Sequence, residues 1–310
     1  MGNNLTPDFK PPHKLNTAVL FLVFNRIQTT KLVFESIKKA KPPRLYIAAD
    51  GPRDNYDREN EKVESVRNYI LENIDWNCEV KTFFRNQNLG CRLAVSQAID
   101  WFFDYETKGI ILEDDTKPSE QFFQFINFGL HKYKNRTEIG CVCGYNPLKP
   151  KLDKTDRIII ANYPHIWGWG TWKRVWDKYH MKTFNHFYKV RTLYKHIKHL
   201  RGAICISRIL KGVERGEIDT WDAQFGFMFS NYKFKAVYPP INLIENIGIG
   251  NFATNTKELK NINKISTVKL NYQNLKESYD ELFEQERFNI EYPNIYNRFI
   301  FKCRKFLKNT

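Results

Sequence analysis

The 310-residue chain lacks several features that would assign it to a class at a glance. No apolar run approaches the roughly 18 to 20 residues that a membrane-spanning helix needs. No GxGxxG follows the first apolar stretch and no GxxxxGK[ST] occurs anywhere, so a dinucleotide fingerprint and a phosphate-binding P-loop are both absent. The six cysteines (Cys78, Cys91, Cys141, Cys143, Cys205 and Cys303) include no CxxC pair, and Met1 to Asn16 is polar with three prolines where a secretory signal would be apolar. Reduced thiols and a cytoplasmic location are the resulting expectation. No recognised nucleic-acid-binding module is present and the aromatics mostly fall at core spacing, so nucleic acid is not an expected partner.

What is present is enough for a large core, with 42% hydrophobic and 15% aromatic residues. The formal charge of +15 calls for an anionic partner, either a nucleotide-linked substrate or the anionic face of a membrane. Much of the excess lies in Lys189 to Arg215 and in the tail, Tyr292 to Thr310. The tail mixes Arg298, Lys302, Arg304, Lys305 and Lys308 with Phe299, Ile300, Phe301, Phe306 and Leu307. That is the composition of an interfacial amphipathic helix, and equally of a terminal helix docked on the core.

Strand and helix patterns alternate along the first half. Strands are expected at Thr17 to Phe24, Leu45 to Ala49, Val80 to Phe84 and Lys108 to the acidic triplet Glu113-Asp114-Asp115. Between them lie helices at Thr30 to Ala40, with Leu32, Val33, Ile37 and Ala40 inward, at about Asp57 to Asn73, and at Gly90 to Phe103. Thr116 to Ser119 has helix-start chemistry, with Phe122, Ile126 and Leu130 following at helical spacing. Such repeats imply a doubly wound, mostly parallel sheet whose strand ends gather Asn25, Arg26, Asp50, Arg85 and Glu113 to Asp115 along one edge. Three adjacent carboxylates repel, so they call for a cation, a proton or a hydroxyl-rich ligand. A solvated acidic turn is the alternative, but the apolar strand in front favours a divalent-metal site carrying a phosphorylated ligand.

The ordered segments strand-FNR, strand-AADGPR, FFRNQNLG and ILEDD resemble the GT-A fold nucleotide-sugar glycosyltransferases, closest to the bacterial nucleotide-diphospho-sugar transferases and more distantly the N-acetylglucosaminyltransferases of N-glycan branching. The resemblance continues through Trp167-Gly-Trp-Gly-Thr-Trp, Ile218-Asp-Thr-Trp-Asp-Ala-Gln-Phe and Pro239 to Gly250, covering roughly residues 17 to 256. It implies an α/β, Rossmann-like open sheet with helices on both faces and a C-terminal acceptor-binding region. The corresponding division is a polar extension over 1–16, a nucleotide-sugar-binding half over 17–145, an acceptor-binding and catalytic half of the same domain over 146–256, and an extension over 257–310.

By that resemblance Asp50 receives the base edge, accepting from the imide N–H of uracil, although a turn aspartate before Gly51-Pro52 has the same pattern. Asn25, Arg26 and Arg85 lie by the nucleotide, Glu113 and Asp114 contact ribose and donor sugar, and Asp115 ligates Mn²⁺ or Mg²⁺. Trp167 and Trp169 offer flat faces to an acceptor glycan or lipid-linked glycan, or else belong to the core. Asp222 is the expected base of an inverting transfer and Asp219 the reserve, since Asp219 also fits a helix cap. Related bacterial sequences read ATHT where Ala253 to Thr256 places Asn255, a poorer metal ligand than histidine. A metal-dependent nucleotidyltransferase or phosphohydrolase and a non-catalytic sugar- or nucleic-acid-binding protein are the competing classes. The tail would rest on the inner face of the cytoplasmic membrane.

Overall fold

Val19–Val23 is apolar and buried along its whole length, as a strand must be when other strands flank it and helices cover both faces. This strand, β1, pairs in parallel with β2 (Arg44–Ala49) on one side and with β4 (Lys108–Glu113) on the other, and β3 (Glu79–Phe84) continues beyond β2. The computed structural model describes residues 15–54, 56–148, 156–179, 186–248 and 264–292. The basic tail apart from Tyr292, Asn255 with its flanking residues, and most of the polar extension lie outside the described residues.

Helices α1 (Ile27–Ala40), α2 (Glu59–Glu72) and α3 (Gly90–Tyr105) connect these strands. Their buried stripes follow the 3.6-residue period, Thr30, Val33, Phe34 and Ile37 in α1 for example. Leu32, expected inward, is 49% exposed because it lies one position off that stripe. After β4 the chain forms β5 (Thr116–Pro118) before α4 (Glu120–Lys132), where a helix start alone was expected. The extra strand exists because β10 (Ile244–Asn246) returns from far along the chain to pair with it antiparallel.

The second half extends the same sheet. It supplies β6 (Ile139–Cys143), β7 (Arg157–Ala161), β8 (Trp169–Trp172), β9 (Lys235–Tyr238) and β11 (Lys276–Tyr279), and the order among described residues is β11-β7-β9-β6-β8-β4-β1-β2-β3. The direction reverses at β8, which is antiparallel to both β4 and β6, and again from β9 to β7, whose neighbour β11 runs parallel to it, so the sheet is mostly parallel with β8 inserted in reverse and a reversed pair at one edge. Gly109 packs its bare α-carbon against Phe102 of α3, whereas Gly170, paired with Ile110, packs against Ile126 and Leu130 of α4. Successive strand residues face opposite ways, so α3 and α4 cover opposite faces. The fold is thus the α/β, Rossmann-like class that the sequence pattern implies.

Beyond the sheet, α5 (Lys173–Trp176) follows β8, and α6 (His186–Ile197), α7 (Leu200–Glu214) and α8 (Asp222–Tyr232) form a satellite layer with α9 (Glu281–Glu291). Leu193, Ile206, Phe227 and Phe288 meet in its own apolar cluster. Arg287 on α9 is fully buried, 3.0 Å from Glu284, 2.6 Å from the Tyr238 hydroxyl and 3.3 Å from the Pro164 carbonyl, while Glu284 accepts the Asn162 N–H at 2.8 Å. A buried charge with its partner removed is costly, so R287M should lower stability by roughly 3 to 5 kcal/mol. In urea unfolding the double variant E284Q/R287M should recover most of that loss; equal loss in both would show that the ion pair is not what docks α9.

Candidate functional site

The carboxyl ends of β1, β2 and β4 open into a cavity of about 380 Å³. Arg26, Asp50, Arg85, Glu113 and Asp114, far apart in sequence and expected at one edge, all line it, and Asp219 joins them. Strand direction explains the gathering, because parallel strands present their last residues on the same side.

The acidic triplet is organised by a single cation. Arg26, the residue before α1, places Nη2 on Asp114 Oδ1, Nε 3.4 Å from Asp114 Oδ2, and Nη1 3.0 Å from Asp115 Oδ2. Asp114 is 3% exposed, whereas the Arg26 side chain is 46% exposed and faces solvent. Burial works against the Arg26 charge, but Asp114 and Asp115 more than compensate and hold its guanidinium pKa above the ordinary value. Burial pushes the Asp114 carboxyl up to about 6 against the pull of Arg26. Glu113, whose carboxyl makes no ion pair among the described residues, is pushed up to about 8 by desolvation and then by the charges of Asp115, Asp114 and Asp222.

Asp115 is not among the residues that line the cavity but joins them through Arg26. Its backbone carbonyl accepts the Ile247 N–H at 2.8 Å, and a Cβ at Gly248 would lie 2.3 Å from its Oδ2, so only glycine lets the chain close over this carboxylate. Among the described residues no group of three His, Cys, Asp or Glu side chains is placed to hold a metal. Mg²⁺ and Mn²⁺ use one or two carboxylates and take further oxygens from phosphate and water, and Asp115, whose Oδ2 pairs with Arg26, keeps an Oδ1 that takes no bond from any described residue. The residues present therefore fit such an ion with Asp115 as its protein ligand.

The opposite wall is the start of α3. Asp50 Oδ1 accepts N–H bonds from Gly51 at 2.9 Å and Leu89 at 3.0 Å, and its Oδ2 accepts from Leu89 and Gly90, both at 3.1 Å. Asp50 thus fills the turn role that its pattern left open while still lining the cavity. Asp219 accepts from Cys91 N at 2.6 Å and Arg92 N at 3.0 Å, capping the same helix start from another segment. Asp222, the first residue of α8, is exposed; its Oδ1 accepts from the Thr220 hydroxyl and from Ala223 N, while no bond reaches Oδ2 from any described residue. The Cys91 thiol records the carboxylates around it, since desolvation and the charges of Glu113, Asp219, Asp222 and Asp50 push it up to about 12.

Other expected residues are placed differently. Arg85 lines the cavity and bonds Gln97 at 2.8 Å with its guanidinium over Phe83. Asn25 instead turns away, donating to Glu59 at 2.7 Å, and does not line the cavity. Trp169 is 1% exposed, stacked on Trp221 at 5.8 Å and packed on Phe225, so it is core and offers no face to a sugar. Trp167 keeps partial exposure beside Tyr145 and His165. Sequence reasoning missed Arg53 and Asn88, which also line the cavity. Arg53 sits three positions past Asp50 in AADGPR, donates to Glu59 from its backbone and from Nε, both at 2.8 Å, and stacks on Tyr56; its place past a strand end was the available signal.

No protein-family model and no curated protein sequence matches the chain. Among solved structures it is similar to the mannosyltransferase PcManGT from Pyrobaculum calidifontis in complex with GDP-Man and Mn²⁺, at 8% identity over 72% of this chain and 70% of that one, with a TM-score of 0.37. It is also similar to HddC from Yersinia pseudotuberculosis, alone and complexed with GMP-PN, at 11% identity over 47% of this chain and 60% of that one, with a TM-score of 0.27. The α/β class rests on the sheet described above, not on these likenesses. No helix among the described residues is long and apolar enough to cross a membrane.

The raised Glu113 carboxyl has a consequence for stability. A folded-state pKa above the unfolded one favours the folded state fully below the unfolded value, and that contribution is lost as pH rises through the folded value of about 8. E113Q removes the titrating charge, so without added metal it should raise Tm relative to the unaltered chain more at pH 8.5 (about half a unit above that value) than at about pH 5. A Tm difference independent of pH would show that Glu113 does not titrate in this range.

Proposed function

We propose that the chain is a metal-dependent glycosyltransferase that moves a sugar from a nucleoside diphosphate donor, a uridine diphosphate sugar by the resemblance at Asp50, to a hydroxyl of a glycan or lipid-linked glycan. The observation that carries this reading is the meeting, around one cavity, of the strand-end carboxylates Glu113 and Asp114, the cations Arg26, Arg53 and Arg85, and Asp219, with Asp115 tied to the cluster through Arg26 and Asp222 following Asp219 on the same segment. Such a set separates anion binding from proton removal, as transfer of a sugar to an alcohol requires.

In this reading Asp115 holds Mn²⁺ or Mg²⁺, and the ion when bound supplies positive charge to the leaving diphosphate. Arg26 and Arg85 flank the phosphates. Asp50 meets three N–H donors, with the Leu89 N–H shared between its two oxygens, so a base edge would take over one of those two shared contacts. Glu113 and Asp114 face ribose and donor sugar, and Trp167 remains the aromatic candidate for acceptor contact.

Asp222 is favoured over Asp219 as the base. Both oxygens of Asp219 already bind the start of α3, whereas Asp222 is exposed with Oδ2 unengaged among the described residues. Its charge acts on Glu113 and Cys91, both of which line the cavity. Incubation with a panel of nucleotide sugars and candidate acceptors, with and without Mn²⁺, tests the activity through release of the nucleoside diphosphate. D222N should lower kcat by on the order of 10² to 10⁴ with donor binding retained. Retained activity in D222N together with loss in D219N would transfer the role to Asp219, and no release from any donor would remove the transferase reading.

A further inference from the structure

A second cavity, of about 500 Å³, lies apart from the first and shares no residue with it. It opens where α6 and α8 end beside β9, and α8 joins the two regions: Asp222 begins the helix and Lys233 follows its last residue. At 1.5 Å per residue the two ends are roughly 16 Å apart.

Four lysines line this cavity: Lys195, Lys198, Lys233 and Lys235. Lys235 donates to Asn162 Oδ1 at 3.0 Å, while Lys195, Lys198 and Lys233 are exposed and none of the three has an ion-pair partner among the described residues. Elsewhere on the same helices the pattern differs, since Lys189 of α6 is buried against Glu214. Four like charges around one cavity repel one another, which costs stability unless an anion enters. Favourable contact with the carbonyl ends of α6 and α8 offsets part of that cost. Lys198 and Lys233 nevertheless adopt φ of 55° and 56°, where glycine or asparagine would be less strained.

An independent feature points to a ligand bearing polar groups. Ser230, 4% exposed, lines the cavity, and its Oγ has no hydrogen-bond partner among the described residues. A buried hydroxyl left unpaired is unfavourable, and because this one is sealed from solvent a ligand oxygen would reach it only once a lining side chain moves. Thr192 and Asn231 add further groups able to bond hydroxyls. The volume leaves room for a body beside the charge.

We propose that the cavity at the ends of α6 and α8 binds a phosphate monoester or diester carried on a polyhydroxyl body, with the lysines on the phosphate and Ser230, Thr192 and Asn231 on the hydroxyls. The shared chemistry belongs both to a soluble sugar phosphate and to the headgroup of an anionic lipid. The site does not depend on the transferase reading, because none of its residues belongs to the first cavity.

Calorimetry with the full chain and glucose 6-phosphate, with glucose and inorganic phosphate as controls, tests the soluble source; sedimentation with phosphatidylglycerol vesicles tests the headgroup. K195Q/K233Q should weaken glucose 6-phosphate binding about tenfold or more, while UDP binding in Mn²⁺ is unchanged. S230A should bind it about threefold more weakly yet be no less stable to heat, because the hydroxyl it loses has no partner among the described residues. Vesicle binding abolished by K195Q/K233Q, without soluble binding, would assign the occupant as a headgroup. Ligand and vesicle binding both indifferent to K195Q/K233Q and to S230A, or absent altogether, would overturn the proposal.

Discussion

The ion pairing of Arg26 with Asp114 and Asp115 is the interaction on which the site depends. Two unit charges about 4 Å apart repel by about 4 kcal/mol at an effective dielectric of 20, and the triplet at the end of β4 packs three carboxylates into consecutive positions. Arg26 relieves two of them, and the proton that the raised Glu113 carboxyl retains near neutrality relieves the third. Both β1 and β4 must end at the same level for this to work, and their parallel pairing from Val19↔Ile110 to Leu22↔Glu113 enforces it. The electrostatics of the site is therefore a consequence of strand register.

A second constraint ties the cavity's walls together. Gly90, at φ +78°, opens α3 with Asp219 so close that a Cβ would meet its Oδ2 at 2.4 Å. Asp50 binds the same turn from the end of β2. Two carboxylates on the first N–H groups of one helix satisfy donors that would otherwise be unpaired, and the helix dipole favours both. Trp221, buried and stacked on Trp169, anchors the Asp219 to Asp222 segment from below. Trp169 thus serves the site through packing, as the support of a neighbour that carries its carboxylates.

The first half of the fold was legible because each strand there is a short apolar run closed by a turn, and each helix has a regular buried stripe. The second half was less so. β5 and β10 have three residues each and exist only by pairing with one another across more than a hundred positions, which no local pattern encodes. The strand ends led to Arg26, Asp50, Arg85 and the acidic triplet, since parallel topology alone brings such positions together. Asn25 was read into the cavity because it precedes Arg26, but Glu59 takes its amide. Trp169 was ambiguous because an indole has the same pattern in a core as in a sugar platform. Arg53 was overlooked because an arginine after a turn resembles any surface charge until its cavity is visible.

The central claim is that Asp115 and a divalent cation together bind a nucleoside diphosphate at the end of β4. Calorimetry of UDP against the unaltered chain and D115A, each in Mn²⁺ and in chelator, tests it most directly. The account predicts that D115A weakens UDP binding at least about tenfold in Mn²⁺ and changes it little in chelator. Equal affinity under all four conditions would contradict it.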